Sequence, residues 1–314
     1  DLEFRTLLDR LQTVEKIYGK ETGGQQLTFF SAEEAAQASE ETGENEGPQA
    51  VVVEIVQDEA GLAALVEVLE GAEVIAFDTE TTSTDQMEAE LVGISLAVHE
   101  RRGYYIPLGH VGADQQLSTA QVFEKLRPAM TDPSIPKIGH NLKYDYIVLD
   151  RHGLRVTPLG FDSMIAEWVI NPSSRNLGLK NLSWVRLNRP MTDIEELIGK
   201  GRDQVTMAQV PIKPAAKYAV DDAVVVLQLK PLLERELDDV QGWELFNDLE
   251  MPLVPVLAKM EMRGIGIDQE FLEEMSQRLD QEMTHLEEKI VDHVGETFNL
   301  NSPQQLSEAL FDKL

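Results

Sequence analysis

Apolar residues along this chain fall into short unbroken runs and longer helical stripes, and their order lays out the elements. Residues 51–56 are mostly Val and Ile, a strand pattern, and 60–69 carry Leu and Val at helical spacing. Val74-Ile75-Ala76-Phe77 is apolar at every position, as expected of a strand covered on both faces. Residues 91–98 set Ile94, Leu96 and Val98 among small residues, and 103–106 follow after a turn as the pairing strand. A helix over 120–130, a short strand over 136–140 and a helix carrying Asp145 come next. Asp162 stands where an N-cap is expected, and the pattern beyond it is mostly helical to Glu236. An antiparallel meander followed by alternating strands and helices predicts an α/β fold, a mixed sheet flanked by helices.

The two ends read differently. Residues 1–18 hold Leu7, Leu8 and Leu11 at helical spacing, which predicts a short helix. Residues 19–49 shift to Gly, Gln, Ser, Ala and Glu, the composition of an acidic linker, with a short helix over 32–38. Toward the other end, Leu249, Leu253, Leu257 and Met260 form one helical stripe, broken at 264–267. A second stripe, Leu272, Met275, Leu279, Met283, Leu286 and Ile290, has the alternating three-four spacing of a coiled-coil-like seam. The expected organisation is therefore a helix and linker over 1–49, a main domain over 50–240 and a helical start of another over 241–314.

Composition narrows the classes. A chain of 314 residues can bury one substantial core and part of a second. No window is long and apolar enough to span a membrane, and the N-terminus lacks the basic and apolar regions of a signal peptide. The first residue is Asp, which suggests a piece of a longer protein. With no Cys, disulfides and thiolate metal sites are excluded, which suits a cytoplasmic protein. The net charge of −29 opposes the basic stripe that a duplex binder carries. A protein that held only a few nucleotides, with metal ions supplying local positive charge, would tolerate it.

The candidate chemistry is acidic. Asp78-Thr79-Glu80 follows the buried run, and in a strand residues i and i+2 point to one side, so Asp78 and Glu80 aim into one space. Asn141-Leu142-Lys143-Tyr144-Asp145 opens a helix, and Tyr218-Ala219-Val220-Asp221-Asp222 places Tyr218 and Asp222 one above the other on a helix face. Four carboxylates from three segments would repel and raise one another's pKa unless a cation joined them. Oxygen-only ligands favour Mg²⁺ or Mn²⁺. That combination is suited to metal-dependent phosphoryl transfer.

These three segments resemble, in order and residue type, the exonuclease motifs of the DEDD superfamily, in the subclass with Tyr four residues before the last Asp. Glu250-Met251-Pro252-Leu253-Val254-Pro255-Val256-Leu257 and Arg263-Gly264-Ile265-Gly266-Ile267-Asp268 resemble the start of the polymerase domain in bacterial family A DNA polymerases. The likeness runs over roughly residues 50–314. It implies a ribonuclease-H-like fold followed by thumb-like helices, and a 3′–5′ proofreading exonuclease acting on single-stranded or frayed DNA 3′ ends. It also implies two divalent cations, with Asp78, Glu80 and Asp222 holding one, Asp78 bridging, and Asp145 holding the second through water.

Tyr218 matches the residue that orients the attacking water, a fitting task because a phenol with a pKa of ~10 is a poor base at neutral pH. Thr79, Asn141 and Tyr144 match positions near the terminal nucleotide. The large apolar wedges of relatives have Thr84 and Ile194 as their nearest counterparts here. Gly199-Lys200-Gly201 resembles a loop of the family and lacks the spacing of a P-loop. His140 reads more readily as a hydrogen-bonded structural residue than as a substrate contact, and Asp221 as solvated or supporting. Polymerisation would belong to a longer protein, with the remaining polymerase domain as partner, in the same or a separate chain. Two alternatives stand beside this reading, a ribonuclease D-like RNA exonuclease and a non-catalytic scaffold of the same fold. The polymerase-like segment weighs against the first and the retained carboxylates against the second.

Overall fold

The computed structural model describes residues 51–113 and 115–313; the expectations for 1–49 lie outside the described residues. A six-stranded sheet organises the domain, in the order β1-β4-β3-β2-β5-β6. Its strands are β1 (Val52–Ile55), β2 (Ile75–Thr81), β3 (Leu91–His99), β4 (Arg102–Pro107), β5 (Lys137–Gly139) and β6 (Leu159–Asp162). The meander β2-β3-β4 is antiparallel, whereas β1 pairs parallel to β4 and β5 and β6 add on parallel beyond β2. The strand that carries Asp78 and Glu80 therefore sits inside the sheet, buried on both faces as its apolar run predicts.

Helices α1 (Glu59–Glu70), α2 (Thr119–Thr131), α3 (Leu142–Arg151), α4 (Ser163–Ile170), α5 (Leu179–Leu187), α6 (Ile194–Ile198) and α7 (Ile212–Asp239) surround it. Asp58 and Ser118 cap the first two by accepting from backbone N–H groups one turn in. Helix α7 packs against β2, β3 and β4 through small and β-branched residues, among them Ala216, Ala219, Val220 and Ala223. Its approach is close: a Cβ on Gly103 would lie 2.6 Å from Val220 Cγ1. Lys137 is fully buried within β5, and its ammonium donates to the carbonyls of Ala129 and Asp132, satisfying the C-terminal end of α2.

Two findings depart from the sequence reading. Strand β6 was not expected, because only Leu159 and Phe161 in its four residues are large and apolar, too few to show a period. Beyond α7, helix α8 (Met251–Arg263) buries Met251, Val254 and Ala258 against α3 and β6. The stripe through Leu249, Leu257 and Met260 is left exposed, since the facing surface selects a different set of turns. Helix α9 (Gln269–Val294) carries the expected seam and buries none of it, and α10 (Pro303–Glu308) follows.

Candidate active site

The last residues of β2 deliver Asp78, Thr79 and Glu80 to one end of the sheet. Beside them β5 ends, Asn141 takes a left-handed turn (φ 59°), and α3 starts at Leu142, so Asp145 lies within its first turn. Crossing helix α7 presents Tyr218 and Asp222 to the same place. Asp78, Glu80, Asp145, Tyr218 and Asp222 thus line one cleft of about 690 Å³, together with Thr79, Asn141 and Tyr144. Thr84 and Ile194 stand on its wall too. Lys200 does not line it and pairs with Glu195.

Hydrogen bonds join the motifs. The backbone N–H of Thr79 donates to Asp145 Oδ1 at 2.9 Å, and the Thr79 hydroxyl donates to the same oxygen at 2.5 Å. Tyr144 donates to the Ser83 carbonyl and contacts the Thr81 hydroxyl, fixing its ring against the strand that follows Glu80. His140 Nδ1 lies 2.9 Å from Ser163 Oγ, and burial pushes its pKa down to about 4, so it stays neutral at physiological pH. It lines the cleft as a bonded, uncharged side chain. Asp221 pairs with Arg189 and does not line the cleft, a supporting contact on α7.

Acidic groups crowd the cleft with little to offset them. Burial pushes Asp145 up to about 7, against the opposing hydrogen bonds from Thr79. Burial likewise raises Asp222 to about 7, with Lys180 pulling the other way. Asp78 and Glu80 rise well above the carboxylate range, through burial first and then through the neighbouring acids. Glu80 Oε1 and Asp222 Oδ1 are buried with no hydrogen-bond partner. Among the described residues no three potential ligands are already gathered into a closed set. Orphaned carboxylate oxygens, mutual repulsion and an all-oxygen donor set together fit a hard divalent cation drawn in between them.

Two supports escaped the sequence reading. Tyr105, over Gly93 and beside Glu80, has its hydroxyl 2.8 Å from His110 Nε2, and His110 Nδ1 lies 2.8 Å from the Val210 carbonyl. Since a carbonyl only accepts, Nδ1 carries the proton and the Tyr105 hydroxyl donates to Nε2. The second is Lys180 on α5. Its ammonium donates to the Tyr218 hydroxyl at 3.1 Å, lies 4.6 Å from the Tyr218 ring centroid, and stands 3.9 Å from Asp193. No local pattern marks it; Leu-Lys-Asn-Leu is an ordinary helical surface sequence.

Comparison with known proteins bears on family and fold. The family described as 3′-5′ exonuclease matches residues 53–238, and the one described as DNA polymerase family A matches 269–314. DNA polymerase I of Chloroflexus aurantiacus is 39% identical over 297 residues, covering 93% of this chain and 30% of that protein. The chain thus spans under a third of that relative's length. Among solved structures, the POL domain of Pol1 from M. smegmatis in complex with DNA primer-template and dNTP superposes with a TM-score of 0.65 at 22% identity, covering 83% of this chain and 41% of that one. Brucella melitensis NrnC with bound Mg²⁺ superposes with a TM-score of 0.51 at 17% identity, covering 68% of this chain and 94% of that one. At these identities the two structures speak for the ribonuclease-H-like exonuclease fold alone.

Proposed function

This chain belongs to the 3′–5′ exonuclease family of DNA polymerase I, with the start of the family A polymerase domain following, and from that premise we propose that its cleft removes nucleotides one at a time from a DNA 3′ end. The observation that carries the reading is the convergence of Asp78, Glu80, Asp145 and Asp222, from three separate segments, with two of their oxygens orphaned. In the proposed site Asp78, Glu80 and Asp222 would hold one divalent cation, and Asp145 with Asp78 would serve a second. Bound Mg²⁺ or Mn²⁺ would supply counter-charge to the acids and Lewis acidity at the scissile phosphate.

The chain's own residues set the geometry. Thr79 clamps Asp145 in place, so the acids of β2 and α3 stay in register. The Tyr218 hydroxyl orients the attacking water along the line opposite the leaving oxygen. Water adds to phosphorus, the bond from phosphorus to the preceding nucleotide's 3′ oxygen breaks, and the products are a nucleoside 5′-monophosphate and a strand ending in a 3′ hydroxyl. Thr79, Asn141 and Tyr144 are placed to meet the terminal nucleotide, and Thr84 and Ile194 offer smaller walls than a bulky aromatic wedge would. This arrangement suits proofreading in bacterial replication and repair, inside the cytoplasm, alongside the rest of the polymerase domain. No described helix is long and apolar enough to cross a membrane.

A labelled single-stranded DNA tests the reading directly. With Mg²⁺ the chain should release mononucleotides progressively from the 3′ end, and a chelator should stop it. Equal or faster trimming of the matching RNA strand would redirect the assignment to an RNA exonuclease. Absence of any metal-dependent release would leave the fold without the proposed activity.

A further inference from the structure

Lys180 bears on the reaction without standing in the cleft. Tyr218 lines the cleft and Lys180 does not; the ammonium rests against the Tyr218 ring and its hydroxyl. An ammonium can only donate, so the Tyr218 oxygen must accept from it. The phenol keeps one proton of its own, and with the oxygen engaged by Lys180 that proton is left for a partner in the cleft. The ring contact adds a second restraint, because a cation over an aromatic face resists rotation of the ring away from it.

Two other cations near the site are committed elsewhere. Arg189 is held by Asp221 and Gln228, and Lys143 by Glu261. Lys180 also lies 3.9 Å from Asp193, whose helix α6 carries the wall residues Ile194 and Ile198. Its charge pulls the Glu80 and Asp222 carboxyls down against the burial that raises them. One side chain thus touches α7 and the segment leading into α6.

We propose that Lys180 is a positioning residue: by donating to the Tyr218 hydroxyl it fixes the direction of the phenol's own proton toward the reacting phosphate and water, and it acts on hydrolysis through Tyr218. This rests on the exonuclease reading of the cleft and adds to it a residue outside the acidic motifs.

The test is a double-substitution cycle on the 314-residue chain, using single-stranded DNA and Mg²⁺. Lys180→Met keeps the length and removes the donor and charge. It should lower kcat by roughly 10–100-fold, the scale of a misplaced reacting group, with KM changed less than about twofold. Lys180→Arg should recover much of that loss. In a Tyr218→Phe background, Lys180→Met should cost nothing further, since the hydroxyl it serves is gone. Thermal melting should match the parent chain within about 2 °C, because Lys180 is partly exposed on a surface helix. Losses that multiply independently with Tyr218→Phe, or a rise confined to KM, would overturn the proposal and make Lys180 a nucleic-acid contact. A variant that melts early is scored by Lys180→Arg: full activity there with a parental melt supports the donor, and a loss equal to that of Lys180→Met overturns it. An inert parent chain would instead sink the exonuclease reading, and this inference with it.

Discussion

Asp162 and the acids of the cleft belong to one domain, yet they are treated in opposite ways. The Asp162 carboxylate accepts backbone N–H groups from Asn141 (3.0 Å), Leu142 (2.7 Å), Met164 (2.9 Å) and Ile165 (3.4 Å). It caps α4 and, across the sheet end, receives the amides that open α3. Burial raises its pKa, and those four amides pull it back. Glu80 and Asp222, by contrast, each leave a buried oxygen unpaired, with further acids for neighbours. Where backbone dipoles surround a buried charge, the charge holds the fold together. Where they are withheld, the fold carries the cost of the charge, and a ligand cation removes it.

The sharpest way to break this contrast is substitution on each side of it. Asp222→Ala should cut exonuclease rate at least ~10³-fold, since several kcal/mol of charge stabilisation depend on that carboxylate. It should leave the metal-free melting temperature unchanged or higher, because one repelling charge is gone. Retention of more than about a tenth of the parent rate would remove Asp222 from the proposed ligand set.

Asp162→Ala should do the reverse. Orphaning four amides at two helix starts should cost about 3 kcal/mol in urea unfolding. Activity at temperatures where the variant stays folded should fall only as far as α3, and Asp145 with it, drifts. An unchanged unfolding midpoint would mean that water replaces the carboxylate freely.

A smaller effect is expected at Tyr218, which stands outside the proposed ligand set. Tyr218→Phe should slow hydrolysis by about 10²-fold, within the range for a lost positioning or acid–base group. Mn²⁺ affinity measured by calorimetry should be unchanged. A large fall in that affinity would move Tyr218 into the metal scaffold.

The least drastic change needs no mutation. Burial pushes Asp145 and Asp222 up to about 7 in the fold, against an ordinary carboxylate value of 3.8 when unfolded. Between those limits the folded chain holds protons on these two groups that the unfolded chain has released, so the stability they carry falls as pH rises, with His140, pushed down to about 4, acting singly in the other direction. In chelator the melting temperature should therefore decline from about pH 4 to pH 7, by ~2–4 °C for each kcal/mol lost. Mg²⁺ at pH 7 should restore it. A metal-free profile that rises over this interval would contradict the account of the cleft as a repelling cluster.

Much of this was legible from local spacing. The i, i+2 relation of Asp78 and Glu80 and the i, i+4 relation of Tyr218 and Asp222 are properties of a strand and a helix, so the pattern that predicts each element also orients its side chains. The continuous apolar run before Asp78 likewise placed β2 inside the sheet. Local pattern could read Asp162 as the cap of α4, because both lie in one turn of chain. It had no means of showing that the same carboxylate reaches Asn141 and Leu142, or that Thr79 clamps Asp145.

Strand β6, the buried face of α8, the Tyr105–His110 pair and the Lys180–Tyr218 contact belong with those. Periodicity records what a residue's own element requires of it. Which distant element supplies the partner is decided only when the chain closes on itself, because a hydrogen bond or an ion pair depends on separation in space and carries no signature in separation along the sequence.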